Sequence, residues 1–163
     1  MPSASIRLLH PADIPGAVAA SRAADTMFAE AGLDLPEDDP REMLAHVETV
    51  LVAGTPVCGL AALTTLDGAA HLEQLAVHPD HGRRGVGSAL LEAACAHARG
   101  AGRSAMTLTT FRDLPWNGPW YAERGFTELA PRDWGPQLAA QWRAEAGIRA
   151  APRIAMLRPL GGS

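Results

Sequence analysis

The sequence predicts a single α+β domain spanning residues 1–163. Three observations predict it: a length inside the ~100–200 residues usual for one domain, β-rich stretches broken by short turns, and Ala-rich stretches whose larger apolar residues recur at helical spacing.

The elements follow in chain order. Residues 6–9 are a short apolar run closed by His10-Pro11, the first strand, after which Asp13-Ile14-Pro15 offers a helix cap with a proline in the first turn. Residues 16–31 put Val18, Met27 and Phe28 on one helical face and stop at Gly32, where a C-cap glycine belongs. The acidic stretch 34–40 carries two prolines and reads as a loop, with a short helix at 41–45 behind it. Residues 47–53 and 56–65 are strands separated by Gly54-Thr55, and Leu66-Asp67-Gly68 turns the chain into another strand at 71–77, giving an antiparallel meander. Pro79 ends that strand. Val86, Ala89, Leu90, Ala93, Ala94 and His97 then recur at helical spacing until Gly100 and Gly102 stop the helix. A Thr-rich strand at 106–111, a short helix at 115–124, a strand at 126–129, a helix at 137–146 and a final strand at 153–157 complete the chain.

Fourteen Lys and Arg against eighteen Asp and Glu give a formal charge of −4. No general positive field is left to hold a nucleic-acid backbone or an anionic membrane, so neither is expected as a partner, and any anion site has to be local. The sequence holds no apolar run of membrane-span length, and the protein is expected in the cytoplasm. Cys58 and Cys95 stand apart with no CxxC spacing; they read as reduced, buried side chains, and no metal is expected.

The most informative stretch is Leu75-Ala76-Val77-His78-Pro79-Asp80-His81-Gly82-Arg83-Arg84-Gly85-Val86-Gly87-Ser88. It passes from a strand through a Gly-rich turn into a helix. Glycines let the backbone approach a ligand closely, and the first helical turn leaves N–H groups unpaired at the positive end of the helix dipole, a combination suited to a pyrophosphate. His81, Arg83 and Arg84 add local charge. A tight turn carrying solvated arginines is the plainer reading of the same residues. No Gly-Lys-Ser/Thr follows and the dinucleotide Gly-x-Gly-x-x-Gly is missing, which sets aside both of those phosphate loops.

The stretch 73–91 resembles the cofactor motif of the GNAT superfamily of N-acetyltransferases, and a second family feature, a late Tyr followed by Gly-Phe, stands at Tyr121-Ala122-Glu123-Arg124-Gly125-Phe126. The resemblance implies a mixed, mainly antiparallel twisted sheet of about 6–7 strands flanked by about 4–5 helices. It implies acetyl-CoA as cosubstrate, held by Leu75, Ala76, Val77, Gly82, Arg83, Arg84, Gly85, Val86, Gly87 and Ser88, with further contacts from Asn117 and Tyr121. One departure stands out. Gly82 occupies the place where most members carry Arg or Gln, and Arg83 the place where Gly is common, so Arg83 and Arg84 are both candidates for the phosphates.

Amine acetylation needs a neutral amine, a polarised thioester carbonyl and a proton for the departing thiolate. The resemblance implies a backbone N–H near Leu75 to Val77 at the carbonyl and Tyr121 as general acid; Tyr121 also reads as a core contact beside Trp116 and Trp120. Glu73, on the strand beside the cradle, leads as general base, with His71, His78 or water as alternatives and a plain exposed carboxylate as the simpler reading. Under strict alternation Glu73 shares a strand face with His71; the resemblance implies that this strand splays from its neighbour at a bulge, which would change the facing of later residues. Members of the family often place an Asn seven residues before the tyrosine, where this chain has Leu114; Asn117, four before it, is the candidate contact from one helical turn later, and Asn117-Gly118-Pro119 also reads as an ordinary turn or helix start.

The acceptor is a small-molecule or peptide amine whose identity stays open. Asp25, Glu30, Asp34, Glu37, Asp38 and Asp39 either favour a cationic amine or are simply a solvated loop, the commoner case, and the four tryptophans, Trp116, Trp120, Trp134 and Trp142, suggest an aromatic-lined pocket or simply helix packing. A non-catalytic acyl-CoA sensor on the same fold is the alternative function, and the last strands offer edges for a homodimer.

Overall fold

The structure is a computed structural model and describes residues 5–33, 35, 39–82, 85–148 and 151–161. Arg83 and Arg84, and the loop acids Asp34, Glu37 and Asp38, lie outside the described residues.

Seven strands form one open sheet among the described residues: β1 (Ile6–Leu8), β2 (Thr49–Ala53), β3 (Gly59–Leu66), β4 (Ala69–Val77), β5 (Ala105–Phe111), β6 (Thr127–Glu128) and β7 (Arg153–Pro159), in the spatial order β1-β2-β3-β4-β5-β7-β6. Every neighbouring pair is antiparallel except β4 and β5. Five α-helices accompany it: α1 (Ile14–Glu30), α2 (Pro40–His46), α3 (Val86–Gly100), α4 (Gly118–Ala122) and α5 (Pro136–Ala144). This is the mixed, mainly antiparallel architecture that the sequence leads one to expect. No described helix is long and apolar enough to cross a membrane.

Two apolar layers sandwich the sheet. On one face Leu51, Ala61, Leu63, Ala70 and Leu72 pack against Leu90, Leu91, Ala94 and Cys95 of α3; on the other, Val50, Val52, Leu60 and Ala62 pack against Ala17 and Ala20 of α1. Burying a Leu such as Leu90, fully enclosed here, contributes about 1.5–3 kcal/mol. The buried stripe of α3 is Val86, Leu90, Leu91, Ala94, Cys95 and Ala98, rotated from the expected one, and His97 is exposed. Alanine occurs all round this helix and leaves its phase undetermined, so the two adjacent leucines decide which side turns inward.

Helix ends also differ from expectation. Asp13 does not cap α1: its carboxylate accepts from the Arg7 guanidinium and the His10 N–H, which ties β1 to the helix start. Gly32, with φ +83, does close the far end, where the Leu33 N–H reaches Phe28 O at 2.9 Å. The strand expected over 56–65 begins only at Gly59, and the helix expected over 115–124 shrinks to Gly118–Ala122. Cys58 and Cys95 are buried and unpaired.

Candidate active site

The site begins at an irregularity in β4. Leu72 pairs with Leu63 and Gln74 with Ala62, so Glu73 is an extra residue with no opposite number: a β-bulge. Below it, Ala70 and Leu72 face α3; above it, Leu75 and Val77 take that face, while Gln74 and Ala76 turn toward α1. The bulge resets the alternation, so Glu73 and Gln74 both serve the α1 side. Alternation therefore holds up to Glu73, which stays on the face of His71 as expected, and breaks between Glu73 and Gln74.

β4 and β5 pair only at Ala70 with Met106 and His71 with Thr107. Beyond that point the two parallel strands part, leaving the β5-facing edge of residues 72–77 without a strand partner among the described residues. The opening leads into a cavity of about 750 Å³. Leu72, Glu73, Gln74, Leu75 and Ala76 line one wall and Leu108, Thr109, Thr110 and Phe111 the other. Arg22, Asp25, Phe28 and Ala29 of α1, with Leu33 and Leu35, form the roof, and Asn117, Tyr121 and Arg153 close the end.

The cavity thus joins Glu73 and Tyr121. Burial pushes the Glu73 carboxyl above its ordinary range, and the negative charge of Glu145 adds to the effect. Tyr121 is buried between Trp120 and Phe126, its ring meeting theirs edge-on at centroid distances of 5.1 and 5.5 Å. Burial drives its phenol well above the usual tyrosine value, so the hydroxyl stays protonated across the neutral range. The aromatic packing and a proton-donating role are compatible: the ring is core while the residue lines the cavity.

The two histidine candidates fall outside the cavity. His71 is buried, shares a 2.8 Å hydrogen bond with Thr107 Oγ1, and is held neutral by burial, its pKa lowered to about 4. His78 accepts the Asp80 N–H through Nδ1 at 3.2 Å, at the start of the turn after β4. Asn117 does line the cavity, though its Nδ2 donates to the Trp116 carbonyl and its side chain makes no cap. Asp25 is on the cavity wall, whereas Asp39 caps α2 through the Arg41 N–H. None of the four tryptophans lines the cavity: Trp134 and Trp142 stack on each other at 4.9 Å, and the aromatic walls are Phe28 and Phe111.

The turn after β4 delivers the chain to α3 through Gly85, whose φ of +79 is a left-handed conformation that a side chain would strain. Ser88, in the first turn of α3, accepts from Arg124 Nε at 3.0 Å, and the Arg124 guanidinium lies 3.8 Å over the Trp120 ring. Arg124 thereby stands at the start of α3, a charge that the linear motif does not reveal because it comes from the other side of α4.

A family model described as an acetyltransferase (GNAT) domain matches residues 46–128, more than half of the chain. The chain belongs to the GNAT acetyltransferase family. The matched region contains the bulge, the glycine turn, α3 and Tyr121, while α5 and β7 lie beyond it. Solved structures of GNAT fold align over nearly all of this chain. N-acetylglutamate synthase from Neisseria gonorrhoeae, complexed with coenzyme A and N-acetyl-glutamate, superposes with TM-score 0.75 at 24% identity over 99% of this chain and 36% of that one. The present chain therefore spans about a third of that protein's length. The ribosomal-protein-S18-alanine N-acetyltransferase from Escherichia coli gives 0.71 at 20% identity over 98% and 96% of the two chains. The PaiA N-acetyltransferase from Thermoplasma acidophilum, in complex with coenzyme A, gives 0.69 at 16% over 97% and 99%. At these identities the likeness is one of fold.

Proposed function

We propose that this GNAT domain transfers an acetyl group from acetyl-CoA to a primary amine by direct attack in a ternary complex. The observation that carries the proposal is the cavity in the β4–β5 opening, which has a carboxylate of raised proton affinity, Glu73, and a protonated phenol, Tyr121, on the same enclosed space.

The free edge of β4 suits an extended acyl-carrying arm, whose amides would replace the missing strand partner, and the thioester carbonyl would receive a backbone N–H from residues 75–77. The pyrophosphate belongs at the start of α3, at Gly85, Val86, Gly87 and Ser88, with Gly82, whose own N–H is taken by the Pro79 carbonyl at 3.1 Å, leading into it and Arg83, Arg84 and Arg124 as countercharge. Asn117 and Tyr121 flank the thiol end. Glu73 takes a proton from the ammonium, directly or through a water, and the neutral amine attacks the carbonyl carbon. The tetrahedral adduct sheds its second N–H proton as the C–S bond breaks, and Tyr121 gives its proton to sulfur. One proton is released overall, the products being the N-acetyl amine and free thiol.

The test is incubation with acetyl-CoA and a broad panel of amines, amino acids and peptides, reading thiol release and acetylated product. Release above the hydrolytic background on any acceptor, with the matching N-acetyl product, supports the reading. Tight acetyl-CoA binding with no release on any acceptor would favour a sensor.

A further inference from the structure

Glu73 is approached from a helix that lies outside the matched family region. Gln141, on α5, donates through Nε2 to Glu73 Oε2 at 3.3 Å and to Glu145 Oε2 at 2.9 Å. Glu145, just past the end of α5, accepts from Thr109 Oγ1 at 2.7 and 3.0 Å. Arg153 of β7 donates to Thr109 Oγ1 at 3.2 Å and stands 3.6 Å from Glu145 Oε1. The Glu145 and Arg153 side chains are only 14% and 7% exposed. Two carboxylates are therefore bridged by one amide, with one guanidinium behind them.

This arrangement is a costly way merely to attach a helix. Two apolar side chains would hold α5 to the sheet without desolvating charge, and a buried polar cluster is weak evidence of stability by itself. Its chemical effect on Glu73 is specific. The Gln141 N–H fixes the carboxylate's orientation and favours its ionised form, while the negative charge of Glu145 opposes ionisation. Arg153 and Thr109 anchor Glu145 so that its charge is kept at that place. The remaining charged neighbours of the cavity are Arg22 and Asp25 on α1, and His71 on β4 is buried and neutral.

We propose that Gln141 and Glu145 are positioning residues for Glu73: Gln141 aims its carboxylate into the cavity, and Glu145, held by Thr109 and Arg153, sets how tightly it keeps a proton. The proposal rests on Glu73 acting as the base.

The test follows the Glu73 carboxyl by ¹³C NMR pH titration in Glu-labelled protein, its resonance assigned by disappearance in Glu73→Gln, beside kcat/KM against pH with two acceptors of different amine pKa. The enzyme's acidic limb is the one that stays put when the acceptor changes. Glu145→Gln lowers the Glu73 midpoint by about half a unit or more, the size of a neighbouring charge at short range in a wet protein, and Gln141→Met raises it. The acidic limb of kcat/KM moves in the same directions, and the affinity for acetyl-CoA stays within about twofold. If Gln141→Met does not fold, Glu145→Gln alone decides. Glu73 midpoints equal to the parent's in the folded variants overturn the proposal while leaving the base role standing. An acidic limb that survives Glu73→Gln overturns both.

Discussion

Asp67 and Leu138 are bound to each other across 71 residues of chain: Asp67 Oδ2 accepts the Leu138 N–H at 2.9 Å, and Oδ1 accepts the Gln137 N–H at the same distance. A residue of the β3–β4 turn is thus the N-terminal cap of α5, the helix that carries Gln141 to Glu73. The fit is close, since a Cβ on Gly135 would fall 2.2 Å from Asp67 Cγ.

Asp67→Ala removes both acceptors from the helix start. It should cost about 0.5–2 kcal/mol in urea unfolding, the usual range for a lost cap, and lower kcat more than acetyl-CoA affinity because α5 supports the base. An unchanged unfolding midpoint would show that the cap contributes nothing.

Gly118 begins α4, the short helix on which Tyr121 sits, and a Cβ there would lie 2.5 Å from the Arg112 carbonyl oxygen. Gly118→Ala forces α4 away from β5 and should cost about 1–3 kcal/mol, as overpacking does, with a fall in turnover as Tyr121 moves. Gly100→Ala is the control of opposite sign: nothing lies within 4 Å, and a helix-end alanine should be neutral or stabilising by up to ~1 kcal/mol. Equal unfolding midpoints for the two variants would contradict the contact.

Tyr121→Phe keeps the ring among Trp120 and Phe126 and removes only the hydroxyl. Loss of a general acid predicts a fall in kcat of about 10²–10⁴-fold with KM for acetyl-CoA nearly unchanged. Thiol release with the preferred acceptor measures it. Undiminished turnover would reduce Tyr121 to a core aromatic.

The fold was legible in the sequence because its signals are local: strand composition, glycine turns and the strand–turn–helix of residues 72–91. Tyr121 and Glu73 could be named from the sequence, and both line the cavity. The bulge that the resemblance implies is present, but its place at Glu73 was not legible, because a missing partner is a property of two strands and nothing in β4 alone marks where the alternation resets. The expected cap at Asp13 failed for a related reason: Arg7, six residues earlier, competes for the same carboxylate. Gln141, Glu145 and Arg153 reach Glu73 and Thr109 across 36 to 68 residues of chain, and Arg124 meets Ser88 across 36, separations at which periodicity carries no information. Phe28, expected as a helix-face residue, becomes a cavity wall once Phe111 stands 5.5 Å from it.

The pH dependence follows from Glu73. Its base form is the ionised one, and burial with the charge of Glu145 raises its proton affinity. As pH falls, activity is therefore lost sooner than an ordinary carboxylate near 4.5 would dictate, and the acidic limb of kcat/KM lies above that value. His71, held at about 4 by burial, adds no limb near 6.5. A profile governed by a midpoint near 6.5 that disappears in His71→Gln would reassign the base.

A crystal structure with coenzyme A bound shows directly whether one cavity brings the thioester between Glu73 and Tyr121. The pantetheine arm should run along the free edge of β4, with the pyrophosphate at Gly85 to Ser88 and the sulfur within hydrogen-bonding reach of the Tyr121 hydroxyl. Coenzyme A bound with its sulfur outside the β4–β5 opening would contradict it.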